Sequence, residues 1–148
     1  MDAISLNESA VKTMNSLADH GYFGDLSMYD EEMKNNSDPF NRKFYSSIQD
    51  KISQINGELL VAYYTMRADF KAFISVRKQQ MKLEAEGKSA KLAGNEIVED
   101  LIKAEIPELH RAVIILEGWQ ARADSSLKTA RNHTYEGKEV EKEDRSAS

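Results

Sequence analysis

An apolar residue returns every three or four positions along the middle of this chain: Phe40, Phe44, Ile48, Ile52, Ile55, Leu59, Tyr63 (or Ala62), Met66 and Phe70. That spacing follows the turn of an α-helix and not the two-residue alternation of a strand. No proline interrupts it after Pro39, and Gly57 is the only glycine inside it. Gly57 costs about 1 kcal/mol against alanine, which does not break so long a helix. Asp38-Pro39 supplies a start, an acceptor for the first free amides followed by a residue suited to the first helical position. Gly87 supplies a stop. The spacing predicts one helix from 39 to about 86, roughly 70 Å long at 1.5 Å per residue.

Shorter elements flank it. Val11, Met14, Leu17 and Ala18 predict a helix from about Asn7 to Asp19, ended by Gly21. The segment from Gly21 to Ser37 is punctuated by Gly21, Gly24 and Asn35-Asn36-Ser37, and one helical turn is expected near Asp30–Lys34. Its Tyr22, Phe23 and Tyr29 predict that it docks on the body. After Gly87, Ile97, Leu101 and Ala104 give a short helix, capped by Ser89 or Asn95. Pro107 clashes with the carbonyl of Lys103 and predicts a kink or a break. A last helix carries Leu109, Val113, Leu116, Trp119 (or Gln120), Ala123, Leu127 and Ala130, and is expected to end near Arg131. Residues 133–148 hold almost no apolar side chain and are expected to be disordered.

The fold class that follows is all-α: a long antiparallel helical hairpin with a short N-terminal helix. Three regions are expected, an acidic arm at 1–38, a hairpin body at 39–132 and an acidic tail at 133–148. One hairpin covers only part of each stripe, and an elongated shape has little core for its surface. A homo-oligomer is therefore expected.

Charge changes the picture, because the net −5 is unevenly spread. Residues 1–38 hold eight acids against two lysines, and residues 132–148 five acids against three bases. The body between them has 15 bases and 12 acids. An acidic arm and tail thus flank a mildly basic body. The chain has no cysteine, which removes disulfides, thiol nucleophiles and cysteine metal sites. No run of about 18 apolar residues exists to span a membrane, and Met1–Ala10 lacks the apolar region of a signal peptide. A reducing cytoplasm, the host's if the protein is viral, is the expected compartment.

No catalytic constellation is present. His20, His110 and His133 sit in three different segments, and there is no H-E-x-x-H, no glycine-rich phosphate loop and no G-x-S-x-G. Asp30-Glu31-Glu32 and the acids from Glu139 to Asp144 read as solvated surface. The expectation is no enzyme, no metal and no cofactor.

The basic residues of the long helix carry more information. On a helical wheel with Met66 at zero, Arg67, Lys71, Lys78 and Lys82 fall together at about 100° to 160°. Tyr64 falls beside them. Seven bases and three acids lie between Arg67 and Lys91. A basic ridge with an aromatic ring suits a single strand of nucleic acid, the cations meeting phosphates and the ring stacking a base. The plainer reading is the solvated face that every amphipathic helix has. Trp119 lies at the edge of its stripe, for core packing or for stacking on a base. Arg77 lies inside the apolar stripe. It can snorkel, pair with an acid of the facing helix, or sit at a subunit contact.

The stretch MKLEAEGKSAKLAGNEIVEDLIKAEIPELHRAVIILEGWQARADSSLKTARN resembles small helical phage proteins. Its features are an "AEGKS" turn after the second helix and the closing phrase Leu127-Lys128-Thr129-Ala130-Arg131. The group resembles the recombination mediators of the T4 type, which load a recombinase onto single-stranded DNA coated by its binding protein. About half of the chain, from Val61 to Asn132, carries the likeness. The long acidic arm, Ile106-Pro107 and the acidic tail depart from it. The resemblance implies an oligomer that binds single strands without sequence preference and has no catalytic residue. Two functions are thus in view. One is a single-stranded-DNA-binding accessory factor that uses Tyr64, Arg67, Lys71, Lys78 and Lys82 and works beside a recombinase or a single-strand-binding protein. The other is a protein-interaction module acting through the acidic arm, such as an assembly chaperone, a scaffold or an inhibitor of a host enzyme.

Overall fold

The computed structural model describes residues 2–88 and 91–147. It is all-helical, with five helices and no strand among the described residues: α1 (Ala3–Asp19), α2 (Tyr22–Asn35), α3 (Arg42–Gly87), α4 (Asn95–Glu105) and α5 (Pro107–Ala147). The long central helix is α3, of 46 residues, and Gly57 lies inside it without a break. No described helix is long and apolar enough to cross a membrane.

Local chemistry sets the ends. The Asp2 side chain accepts from the Ser5 amide at 2.7 Å, so α1 starts four residues earlier than its apolar positions suggest. Those bonds hold the Asp2 carboxyl below its usual range. Gly21 closes α1, taking a left-handed φ of 76° while its amide bonds the carbonyl of Ala18. The single turn expected near Asp30–Lys34 is instead a helix of 14 residues, α2, held by the fully buried Leu26. Asp38 accepts from the amide of Phe40, but the cap of α3 is Asn41, whose side chain accepts from the amide of Phe44. Phe40 therefore precedes the helix, and Tyr45 is the buried ring of the first turn.

The chain divides into two compact units. The first comprises Met1–Ser16 and Ala62–Glu117. Its core gathers Leu6, Tyr63, Met66, Ile102, Leu109 and Leu116. α3 and α5 run antiparallel in it, since Phe70 stacks on His110 and Arg77 pairs with Glu105, one step forward on α3 matching one step back toward α4. Of the kink or break expected at Pro107, the structure has a break: α4 ends at Glu105 and Pro107 is the first residue of α5. Asn7 of α1 serves both loose ends. Its amide nitrogen donates to the carbonyl of Glu105 at 3.2 Å, and its oxygen accepts from the amide of Leu109 at 3.3 Å.

α4 corrects the sequence pattern: of its two expected caps, Ser89 lies outside the described residues and Asn95 is the first helical residue, with Gly94 in the cap position. Its inward residues are Val98 and Ile102, followed by Ile106, and not Ile97, Leu101 and Ala104. Both series have helical spacing, so periodicity alone cannot choose between them.

The second unit comprises Leu17–Val61 and Gly118–Ser148. Ile48, Ile52, Ile55 and Leu59 of α3 pack with Leu26 of α2 and with Ala123, Leu127 and Ala130 of α5 in its core. Asp30 ties α2 to α5: it accepts from Arg122 at 2.8 Å and from the hydroxyl of Ser126. Trp119 packs its ring on Phe23, centroids 4.9 Å apart. The tail also departs from expectation, because α5 continues through residues 133–147 as helix. His133 stacks on Tyr45 at 4.3 Å, Thr134 is buried, and Arg42 pairs with Glu141 at 3.0 Å. These contacts use a ring, a hydroxyl and charges, none of which registers as an apolar stripe.

Candidate nucleic-acid interface

The residues proposed from the helical wheel lie on α3 within the first unit, where the structure separates them into two groups. Lys71, Lys78 and Lys82 line one side of an open groove of roughly 800 Å³. Across it stand Asn95, Glu99 and Lys103 of α4. Phe70, Ile74 and Val98 contribute apolar walls. Spacing explains the convergence: Lys71, Lys78 and Lys82 are seven and four residues apart, so they share one face of α3.

Tyr64 and Arg67 are not among the residues lining this groove. Tyr64 is 57 % exposed, its ring tilted against Tyr63 with centroids 5.4 Å apart. The guanidinium of Arg67 lies over the Tyr63 ring, 5.8 Å from its centroid. Arg67 is thus held against a buried tyrosine, and Tyr64 offers an exposed ring about two helical turns before Lys71.

Electrostatics inside the groove are not uniform. Lys78 forms an ion pair and hydrogen bond with Glu99. That bond and the lysine charge hold the Glu99 carboxyl below the usual carboxylate range, with help from Lys103 and Asn95. Four lysines and one carboxylate therefore line the groove, and one lysine is already matched. Arg77, the charged residue inside the stripe, turns away from this set. It bonds both oxygens of Glu105 at 3.2 and 3.1 Å and approaches Glu84 at 3.7 Å. Of its three possible roles, pairing with an acid of the facing chain segment is the one adopted.

Lys103 is the groove residue that the wheel missed. It comes from a different helix, and only the packing of α4 beside α3 brings it near. The one available signal was Glu99, four residues earlier, which shows that this side of α4 is charged. His110, the other candidate for chemistry, stacks flat on Phe70 with centroids 5.3 Å apart. No group of three or more acids and histidines able to hold a metal ion occurs among the described residues.

Fold and groove together define an all-helical protein with a lysine-lined channel between two helices. No family model, curated protein or solved structure matches the chain.

Proposed function

We propose that this chain is a non-enzymatic accessory factor that binds single-stranded DNA, of the kind that serves phage recombination or replication. The observation that carries the reading is the groove itself. Lys71, Lys78 and Lys82 of α3 face Lys103 of α4 across apolar walls that include Phe70 and Ile74. Lysines reach phosphates as point charges without reading sequence, and apolar walls accept the faces of bases. Tyr64 extends the path with an exposed ring, and Arg67 adds charge beside it. On this reading the protein self-associates, needs no cofactor, and works beside a recombinase or a single-strand-binding protein.

The test is a salt titration of binding to labelled single-stranded DNA. Each phosphate contact adds about −0.7 to the slope of log affinity against log salt, so four lysines give roughly −2 to −3. Absence of salt-dependent binding even at about 50 mM salt rejects the reading.

A second reading, a protein-interaction module working through the arm, is favoured by one observation. The start of the arm is folded as α1, which exposes Ile4 and Val11, seven residues apart and so on one helix face, with the exposed Glu8 between them in sequence. Exposed apolar side chains aligned on one helix face suit a protein partner. This reading takes over if the salt titration fails.

A further inference from the structure

α4 is apolar on two sides. Val98 and Ile102 point into the core, while Ile97 and Leu101 are 59 % and 54 % exposed on the outer side. Residues four apart on a helix form one ridge. Glu96 and Asp100, both exposed, make this ridge acidic. Beside it, the break at Ile106-Pro107 opens a crease of roughly 530 Å³ between α4 and the first turns of α5. Ala104, Pro107, Ile114 and Ile115 give the crease its apolar lining, and Lys103 and Arg111 make it basic, with Asp100 at the ridge side and His110 within. An acidic apolar ridge thus adjoins a basic apolar crease within the first unit.

We propose that this surface is a two-fold interface between two copies of this chain. The ridge of Ile97 and Leu101 on one copy seats in the crease of the other, and the reverse contact forms at the same time. Asp100 of each copy meets Arg111 of the other. A two-fold interface uses one patch twice, so the patch must complement itself in both shape and charge. A convex and a concave apolar element of opposite charge, side by side, meet that condition. Asp100 and Arg111 also have no ion-pair partner of their own among the described residues. The interface locates the self-association contained in the functional reading above; of the four groove lysines it shares Lys103 and leaves Lys71, Lys78 and Lys82 outside. Loss of DNA binding leaves it standing, and a monomer leaves the groove standing.

The experiment is sedimentation of the full chain at about 50 μM, a concentration at which mass action favours even a weak dimer. A dimer is expected. Leu101→Glu should raise its dissociation constant about tenfold or more, whereas Leu83→Glu, an exposed site on α3 outside the crease, should not. Asp100→Arg and Arg111→Asp, at exposed positions where helix content should hold by circular dichroism, should each weaken the dimer. The double variant should return to within about threefold of the original chain. A monomer of 16.8 kDa overturns the proposal. So does a dimer that tolerates Leu101→Glu, one that Leu83→Glu disrupts equally, or a charge reversal that the second substitution does not rescue.

Discussion

Lys78 of α3 and Glu99 of α4 are joined by an ion pair inside the groove, so one of its four lysines already has an anion. A phosphate that binds there must displace Glu99 or share Lys78 with it. Glu99→Gln keeps the shape of the side chain and removes its charge. The expected outcome is tighter binding of single-stranded DNA and a salt slope steeper by up to about 0.7, since Lys78 becomes free for one phosphate. Fluorescence anisotropy at several salt concentrations measures both. Unchanged affinity and slope would show that Lys78 does not face the strand.

The same pair has a pH signature. The folded Glu99 carboxyl lies below its ordinary 4.5, so the pair's contribution to stability is fully present above that value. It disappears as pH falls through the lower, folded pKa. Acid unfolding followed by circular dichroism should therefore begin at a higher pH for the native chain than for Glu99→Gln, relative to each protein's stability at neutral pH. Two identical acid limbs would mean that the pair contributes nothing.

Lys71 and Lys82 have no such internal partner among the described ion pairs, and both line the groove. Changing the two to alanine should flatten the salt slope by about 1.4, at about 0.7 for each lysine that no longer meets a phosphate. Helix content should not fall, because alanine is a better helix former than lysine. Tyr64→Ala should behave differently. It should weaken binding by about 1–3 kcal/mol while the slope stays, since stacking releases no counterion. Equal slope changes for the tyrosine and lysine variants would contradict the division of roles.

Two glycines in the second unit give opposite predictions. A Cβ at Gly57 would meet no atom within 4 Å, so Gly57→Ala should stabilise α3 by about 1 kcal/mol through backbone entropy alone. A Cβ at Gly137 would lie 2.8 Å from the carbonyl oxygen of Phe40 and 3.0 Å from the Cβ of Arg42. The first neighbour is backbone and cannot swing aside. Gly137→Ala should therefore destabilise by about 1–3 kcal/mol, as overpacking does. Urea unfolding of both variants measures the two signs, and a stabilising Gly137→Ala would mean that α5 does not approach Phe40 so closely.

The pattern of apolar residues was informative where one face had one answer. Ile48, Ile52, Ile55, Leu59, Tyr63 and Met66 form a single series, and all six are buried. It failed where two series compete. On α4, Ile97 and Leu101 repeat as regularly as Val98 and Ile102, and only the neighbouring helices decide which pair turns inward. Gly24 and a weak stripe hide the full length of α2 from the pattern, although Leu26 is wholly covered. The groove was half legible. Lysines on one helix can be aligned by counting, but Lys103 and the masking of Lys78 by Glu99 depend on a second helix. The ridge and groove are therefore different sets, with Tyr64 and Arg67 on the first only.

The C-terminal segment gives the last prediction. Its composition suggests a disordered acidic tail, and removing such a tail would strengthen DNA binding by removing negative charge. Its packing suggests a different result. His133 stacks on Tyr45 and approaches the carbonyl of Pro39 through Nδ1 at 3.1 Å. Thr134 is buried with its hydroxyl bonded to the carbonyl of Ala130 at 2.8 Å, and Glu141 pairs with Arg42. Truncation after Asn132 uncovers Tyr45, which is 2 % exposed in the intact chain. Uncovering an aromatic side chain costs about 1.5–3 kcal/mol, and the exposed ion pair at Glu141 adds at most about 1. The truncated chain should thus be less stable to urea by roughly 2–4 kcal/mol in total. His133→Ala in the full-length chain isolates the stacking share, expected at about 0.5–1.5 kcal/mol beyond the effect of the area uncovered. Urea midpoints that match the intact chain for both variants would show that the segment does not pack on α3, and would return it to a free acidic tail.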